Sequence, residues 1–188
     1  TINVSLDTLN SDKFDAITKR DHFDRAFQNI ELLLQEGFNV KLNIVLLKGF
    51  NDNEIVDFVN YTKNKPVAVR FIEFMPFDGN SWDKSKLVSY QEILDKVRTH
   101  FTETELIQLP NEQNFTARNF RIDGYQGTFG IISTVTNPFC DSCNRIRLTA
   151  NGKLKNCLFS NGETDLLTPY REGQPIESLI QQAIFKKK

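Results

Sequence analysis

In the opening stretch "TINVSLD", the apolar Ile2, Val4 and Leu6 alternate with the polar Asn3, Ser5 and Asp7. A period of two predicts a strand with one apolar and one polar face. "HFDRAFQNIELLLQEG" changes period: Phe23, Ala26, Phe27, Ile30, Leu33 and Leu34 recur at helical spacing, and Gly37 suits the position just past the helix end. "NVKLNIVLL" returns to alternation, with Val40, Leu42 and Ile44 against Lys41 and Asn43. "NDNEIVDFVNYTKN" predicts a second helix, capped by Asn51 or Asp52, and "VAVRFIEFM" a third strand closed by Pro76. Strand, helix, strand, helix, strand predicts successive right-handed crossovers and a parallel sheet.

A loop is expected from Phe77 to Val88, then a helix opened by Ser89, which with Glu92 fits a capping box. Beyond Phe101 short strands from Ala117 to Asp123 and from Thr128 to Thr136, joined by "GYQG", predict antiparallel pairing. A cysteine-bearing segment follows, and "PIESLIQQAIFKK" predicts a terminal helix. Residues 1–100 read as β/α repeats, and residues 101–188 as an extension containing the cysteine motif (140–157) and that helix. The chain opens without methionine, directly in a strand, and closes on "IFKKK", so it reads as a piece of a longer protein.

The polar parity matters. A parallel sheet covered by helices on both sides should be apolar on both faces. Asn3, Ser5, Asp7, Lys41 and Asn43 break that rule on one parity only, which fits either a wet face or a barrel interior built for a polar ligand. Arg70 and Glu73 on the third strand have opposite parity, so a regular strand points only one of them that way.

Composition narrows the class. A chain of 188 residues that is 39% hydrophobic and 25% charged is globular in type, and a net charge of −1 gives no general attraction to nucleic acid or to an anionic membrane. No apolar run approaches the ~18 residues of a membrane span. The three cysteines are clustered and odd in number, a poor disulfide framework, and read as an intracellular, cytoplasmic metal site or reactive thiol.

They stand as C-x2-C-x13-C: Cys140, Cys143 and Cys157. Zinc would need a fourth ligand, for which His22, His100 or an aspartate is available. A Cys140–Cys143 redox disulfide fits less well, because Pro138 precedes the motif and the strand-like "RIRLT" follows. An iron–sulfur cube on three thiolates leaves one iron open to a small molecule. Arg145 and Arg147, two apart on one strand face, suit phosphate oxygens. "LTANGKL" then poses a geometric question. A two-residue Asn151-Gly152 turn pairs Arg147 with Asn156 and sends Cys157 to the opposite face. A three-residue loop with Gly152 at positive φ pairs Arg147 with Lys155 and puts Cys157 on the arginines' side. The second is expected.

"FCDSCNRIRLTANGKLKNCLF", together with "INVSLDTL", "NVKLNIVLLKGFNDNEI" and "VRFIEFMPF", resembles the molybdenum cofactor biosynthesis protein A family of radical S-adenosylmethionine GTP 3′,8-cyclases. The likeness runs along nearly the whole chain. It implies an α/β fold: the C-terminal part of a partial (β/α) TIM-type barrel with an antiparallel β extension carrying an auxiliary [4Fe-4S] cluster. It implies Cys140, Cys143 and Cys157 as cluster ligands, and Lys41, Arg70, Arg145 and Arg147 as GTP contacts. Ser5 and Met75 fall on S-adenosylmethionine contacts, and Asn43 joins them by its parity beside Lys41. The family's N-terminal cluster, on a C-x3-C-x2-C loop that these 188 residues do not contain, cleaves S-adenosylmethionine to start the cyclisation of GTP. The expected partners are therefore GTP and S-adenosylmethionine, with no nucleic acid and no membrane, and a homodimer formed through open sheet edges. Alone, the chain is expected to be inactive. A radical maturase with an auxiliary cluster, or a zinc-stabilised binding module, are the alternative functions.

Overall fold

A computed structural model describes residues 1–76, 80–111, 115–140, 143–159 and 162–187. The chain forms two compact units: residues 1–75 with 82–139, and residues 76–81 with 140–188.

The first unit is a six-stranded sheet in the order β1-β2-β3-β6-β5-β4. β1 (Ile2–Ser5), β2 (Val40–Leu46) and β3 (Val67–Glu73) run parallel, as the alternation predicts. β6 (Thr128–Ile132) adds to β3 in parallel, while β5 (Arg118–Ile122) and β4 (Leu106–Gln108) complete the sheet antiparallel. The expected antiparallel pair is β5 with β6. The parallel β3–β6 pairing depends on contacts about sixty residues apart, for which no local pattern exists.

Helices cover the apolar parity. α2 (Phe23–Gln35) and α3 (Ile55–Tyr61) occupy the two predicted helical stretches, and Gly37 takes φ 74 just beyond α2. α4 (Tyr90–Arg98) opens with the expected capping box: the Ser89 hydroxyl accepts from the Glu92 N–H and the Glu92 carboxylate accepts from the Ser89 N–H. Ile30, Phe58, Val59, Ile93 and Val97 pack with Leu42, Ile44, Val69, Phe71, Phe129 and Ile131 into one buried core.

One local expectation is corrected, and one helix was not foreseen. Neither candidate caps α3: residues Asp52–Glu54 form a 3₁₀ turn ahead of it. Asn51 is fully buried, its amide donating to the Asp7 and Val45 carbonyls and accepting from the Leu47 N–H. Asp52 instead accepts from the Gly49 N–H at 2.8 Å. The segment "SDKFDAITKR" also contains a helix, α1 (Ser11–Thr18), capped by Asn10 and ended by Lys19 at φ 59. None of its residues is buried, so it carries no apolar stripe strong enough to announce it.

The second unit holds a small antiparallel sheet of β7 (Arg147–Leu148), β8 (Lys153–Lys155) and β9 (Thr164–Asp165), with α5 (Leu167–Arg171) and α6 (Glu177–Phe185). Its core is modest: Leu154, Leu166 and Ala183, with Ile176, Leu179 and Ile180 packed against them.

Candidate functional site

Parallel register turns the polar parity into rows. Ser5 pairs with Asn43, Asn43 with Arg70, and Arg70 with Gly130. One step towards the strand N-termini, Asn3 pairs with Lys41, Lys41 with Ala68, and Ala68 with Thr128. Partners across a ladder share a face, so Ser5, Lys41, Asn43 and Arg70 all stand on the side away from the helices. Ser5 is exposed and the other three are half-buried. The Asn43 side-chain oxygen is buried and has no hydrogen-bond partner among the described residues. A buried acceptor in that state costs on the order of 1–3 kcal/mol, and it suits a donor group arriving from a ligand.

Asn119 is a member of this face that sequence reasoning missed. It pairs with Gly130, and a Cβ on Gly130 would stand 2.6 Å from the Asn119 Oδ1. The amide therefore lies over the glycine, in line with Arg70. A glycine on the polar parity of a strand was the available signal.

Glu73 resolves the parity conflict on β3. The strand is regular, Arg70 takes the polar side, and Glu73 is fully buried on the helix side. Its carboxylate accepts from the backbone N–H groups of Tyr90 (3.0 Å), Val135 (2.8 Å) and Thr136 (3.0 Å), and from the Thr136 hydroxyl. Glu73 thus ties the end of β3 to the start of α4 and to the turn after β6. Met75 follows two residues on, its sulfur accepting from the Thr134 hydroxyl at 3.3 Å. Asp7 does not line the polar face as a free carboxylate. Its Oδ1 accepts from the Val45 N–H at 2.8 Å, and burial raises its pKa against the lowering effect of that bond.

The cysteines lie in the second unit, and the turn between β7 and β8 has the three-residue form. Arg147 pairs with Lys155 and Leu148 with Leu154. The Thr149 N–H donates to the Lys153 carbonyl at 2.9 Å, the Gly152 N–H to the Thr149 carbonyl at 2.9 Å, and Gly152 takes φ 72. The ladder ends at the Arg147–Lys155 pair, and Arg145 and Cys157 lie two residues beyond it, outside β7 and β8, so the expected Arg145–Cys157 pairing is not part of it. Arg147 is exposed and Arg145 half-buried.

All three cysteines are free thiols, Cys140 exposed and the other two half-buried. The Cys143 N–H donates to the Cys140 carbonyl at 3.1 Å. Burial pushes the Cys143 thiol up, but hydrogen bonds from the Arg145 backbone and from Lys187 outweigh it and hold the pKa below its ordinary value. A thiolate-favouring setting is what an iron–sulfur or zinc ligand requires, and the donor set fits such a group. Among the described residues no three His, Cys, Asp or Glu side chains already converge to hold a metal ion. The ligand assignment therefore rests on chemistry and not on assembled geometry.

A separate cavity of about 400 Å³ lies at the N-terminal ends of β2, β3 and β6, between Phe38, Asn39, Pro66, Gln126 and Thr128. Its lining holds no titratable side chain.

Residues 67–188 match the family model described as Molybdenum Cofactor Synthesis C. The chain belongs to that family. Residues 1–62 match the model of the Radical SAM superfamily. Among curated relatives, the chain is 46% identical to "GTP 3′,8-cyclase, mitochondrial" of Arabidopsis thaliana, with all of this chain and 48% of the relative aligned. It is 44% identical to "Molybdenum cofactor biosynthesis protein 1" of Homo sapiens, over all of this chain and 30% of the relative. It is 41% identical to "GTP 3′,8-cyclase" of Listeria welshimeri, over 99% of this chain and 56% of the relative. The chain thus spans 30–56% of the length of these curated relatives. No helix among the described residues is long and apolar enough to cross a membrane.

Proposed function

We propose that this chain is the C-terminal part of a radical S-adenosylmethionine GTP 3′,8-cyclase. The whole protein converts GTP to (8S)-3′,8-cyclo-7,8-dihydroguanosine 5′-triphosphate in molybdenum cofactor biosynthesis. Cys140, Cys143 and Cys157 hold a [4Fe-4S] cluster whose fourth corner receives GTP. Arg145 and Arg147 bind the nucleotide beside it, and Lys41 and Arg70 supply further positive charge for the triphosphate. The polar sheet face belongs to a partial (β/α) TIM-type barrel, where Ser5, Asn43 and Met75 contact S-adenosylmethionine. A second [4Fe-4S] cluster, with S-adenosylmethionine, supplies the radical that begins the reaction. An enzyme with reduced thiols suits the cytoplasm.

The observation that carries this reading is the β7–β8 register. It sets Arg147 opposite Lys155, as the three-residue turn requires, and the same register continued for two more residues would bring Arg145 and Cys157 to the side of Arg147. Iron and acid-labile sulfide are to be measured on anaerobically reconstituted protein, with GTP binding followed in parallel. A cluster's worth of iron at the three cysteines is expected, with at least tenfold weaker GTP binding after Arg145→Ala or Arg147→Ala, consistent with about 1.5–3 kcal/mol for a charge-assisted hydrogen bond. Stoichiometric zinc in place of iron would overturn the assignment. The 188 residues alone carry a single three-cysteine motif and are not expected to turn over GTP. With β1 at the sheet edge, the isolated chain is expected to self-associate, which sedimentation would read.

A further inference from the structure

The last turn of α6 and Lys187, two residues beyond the helix end, are fastened to the two stretches of the cysteine motif. On one side the Asn156 amide, next to Cys157, donates to the Ala183 carbonyl at 3.0 Å. On the other, Lys187 sends its ammonium to the stretch that begins at Cys143. Its Nζ donates to the Arg145 carbonyl at 2.5 Å and to the Cys143 Sγ at 3.4 Å. The Lys187 backbone is itself fixed, its N–H donating to the Ile184 carbonyl at 3.0 Å. Lys187 lies 44 residues from Cys143, and its contact with the sulfur is half-buried, where solvent screens a charge less than at the surface. An ammonium spent on a carbonyl and a sulfur is an unusual use of a lysine, since an exposed one would keep its head in water.

We propose that Lys187 is a positioning residue of the [4Fe-4S] cluster, holding Cys143 in place and setting the cluster's reduction potential. This rests on the cluster reading above. Reduction adds one electron to the cluster and breaks no bond, so the reduced form carries one more negative charge. Hydrogen bonds to cluster sulfurs and nearby positive charge favour that form. Removing the ammonium makes reduction harder.

The test uses the full-length protein, reconstituted anaerobically, in a background whose radical-cluster cysteines are replaced so that one cluster signals. The midpoint is read by titration with dithionite, followed by electron paramagnetic resonance, with iron content measured alongside. Lys187→Ala is expected to shift the reduced-to-oxidised ratio about tenfold toward oxidised, a midpoint about 59 mV lower for one electron. Lys187→Arg stays within about twofold of the parent, a tolerance set well inside that tenfold step, and the exposed neighbour tested by Lys186→Ala is silent. Loss of iron from the alanine variant but not from the arginine variant also supports the role. An alanine variant with full iron and an unchanged midpoint overturns it, as does an arginine variant that falls as far as alanine. A parent protein without iron at these cysteines overturns the cluster reading itself, and this inference with it.

Discussion

Replacing Glu73 by glutamine changes one atom in a fully buried site, and the structure gives the cost. Oε2 accepts from the Val135 and Thr136 N–H groups at 2.8 and 3.0 Å, and Oε1 from the Tyr90 N–H at 3.0 Å and from the Thr136 hydroxyl. A glutamine keeps one acceptor oxygen, best placed against Val135 and Thr136. Its NH₂ then confronts the Tyr90 N–H, which is left with the longer contact to the Thr136 Oγ1 at 3.2 Å. One impaired donor costs about 1–3 kcal/mol, and each of the two surviving bonds weakens by about 1 kcal/mol when the acceptor loses its charge. Relief from burying a carboxylate offsets part of this. The expected net loss is about 2–4 kcal/mol, read as the change in free energy from urea unfolding. Glu103→Gln at an exposed position is the control, expected within about 0.5 kcal/mol of the parent. A Glu73→Gln protein within the control's range would refute the claim that this carboxylate fastens the strand end to the following turn.

Gly130→Ala should cost about 1–3 kcal/mol by overpacking, because its Cβ would stand 2.6 Å from the Asn119 Oδ1 and 3.1 Å from the Ala117 Cβ. Thermal unfolding would show it, and an unchanged midpoint would argue against the amide lying there. Glu92 is held at a pKa of about 2 by its bond to Lys48, then by the Ser89 N–H and hydroxyl. A depressed carboxylate stabilises the fold above its unfolded pKa of about 4.5, and that stability is lost as pH falls toward 2. Because the side chain is 41% exposed, Glu92→Gln, which keeps the capping geometry, should flatten the acid limb by under about 1 kcal/mol. A larger change would mean that the pair is not screened as its exposure implies.

Local chemistry made much of this legible. Alternation gave the first two strands, an apolar run closed by Pro76 the third, Ser89 with Glu92 the start of α4, and the Ala150-Asn151-Gly152 turn led to the observed β7–β8 register. Parity alone separated Ser5, Lys41 and Asn43 from the core face, whereas the choice between Arg70 and Glu73 was left open until the burial of Glu73 decided it. Hidden were features whose cause lies far along the chain. The Glu73 clamp joins residues more than sixty positions apart, and Lys187 meets Cys143 across 44. Asn119 reaches the polar face only because β5 pairs with β6. Helix α1 escaped for the opposite reason, since it sets only Phe14 against the core and buries no residue fully, and its ends are set by Asn10 and a left-handed Lys19.

The central claim is that three thiolates hold an iron–sulfur cube and leave one corner for the nucleotide. Mössbauer spectroscopy of the full-length protein, reconstituted with isotopically enriched iron and compared with and without GTP, tests it most directly. The account predicts that a single iron site changes its parameters on adding GTP, and that the change disappears in the Cys157→Ala protein. A cluster already completed by a protein ligand and indifferent to GTP would contradict it.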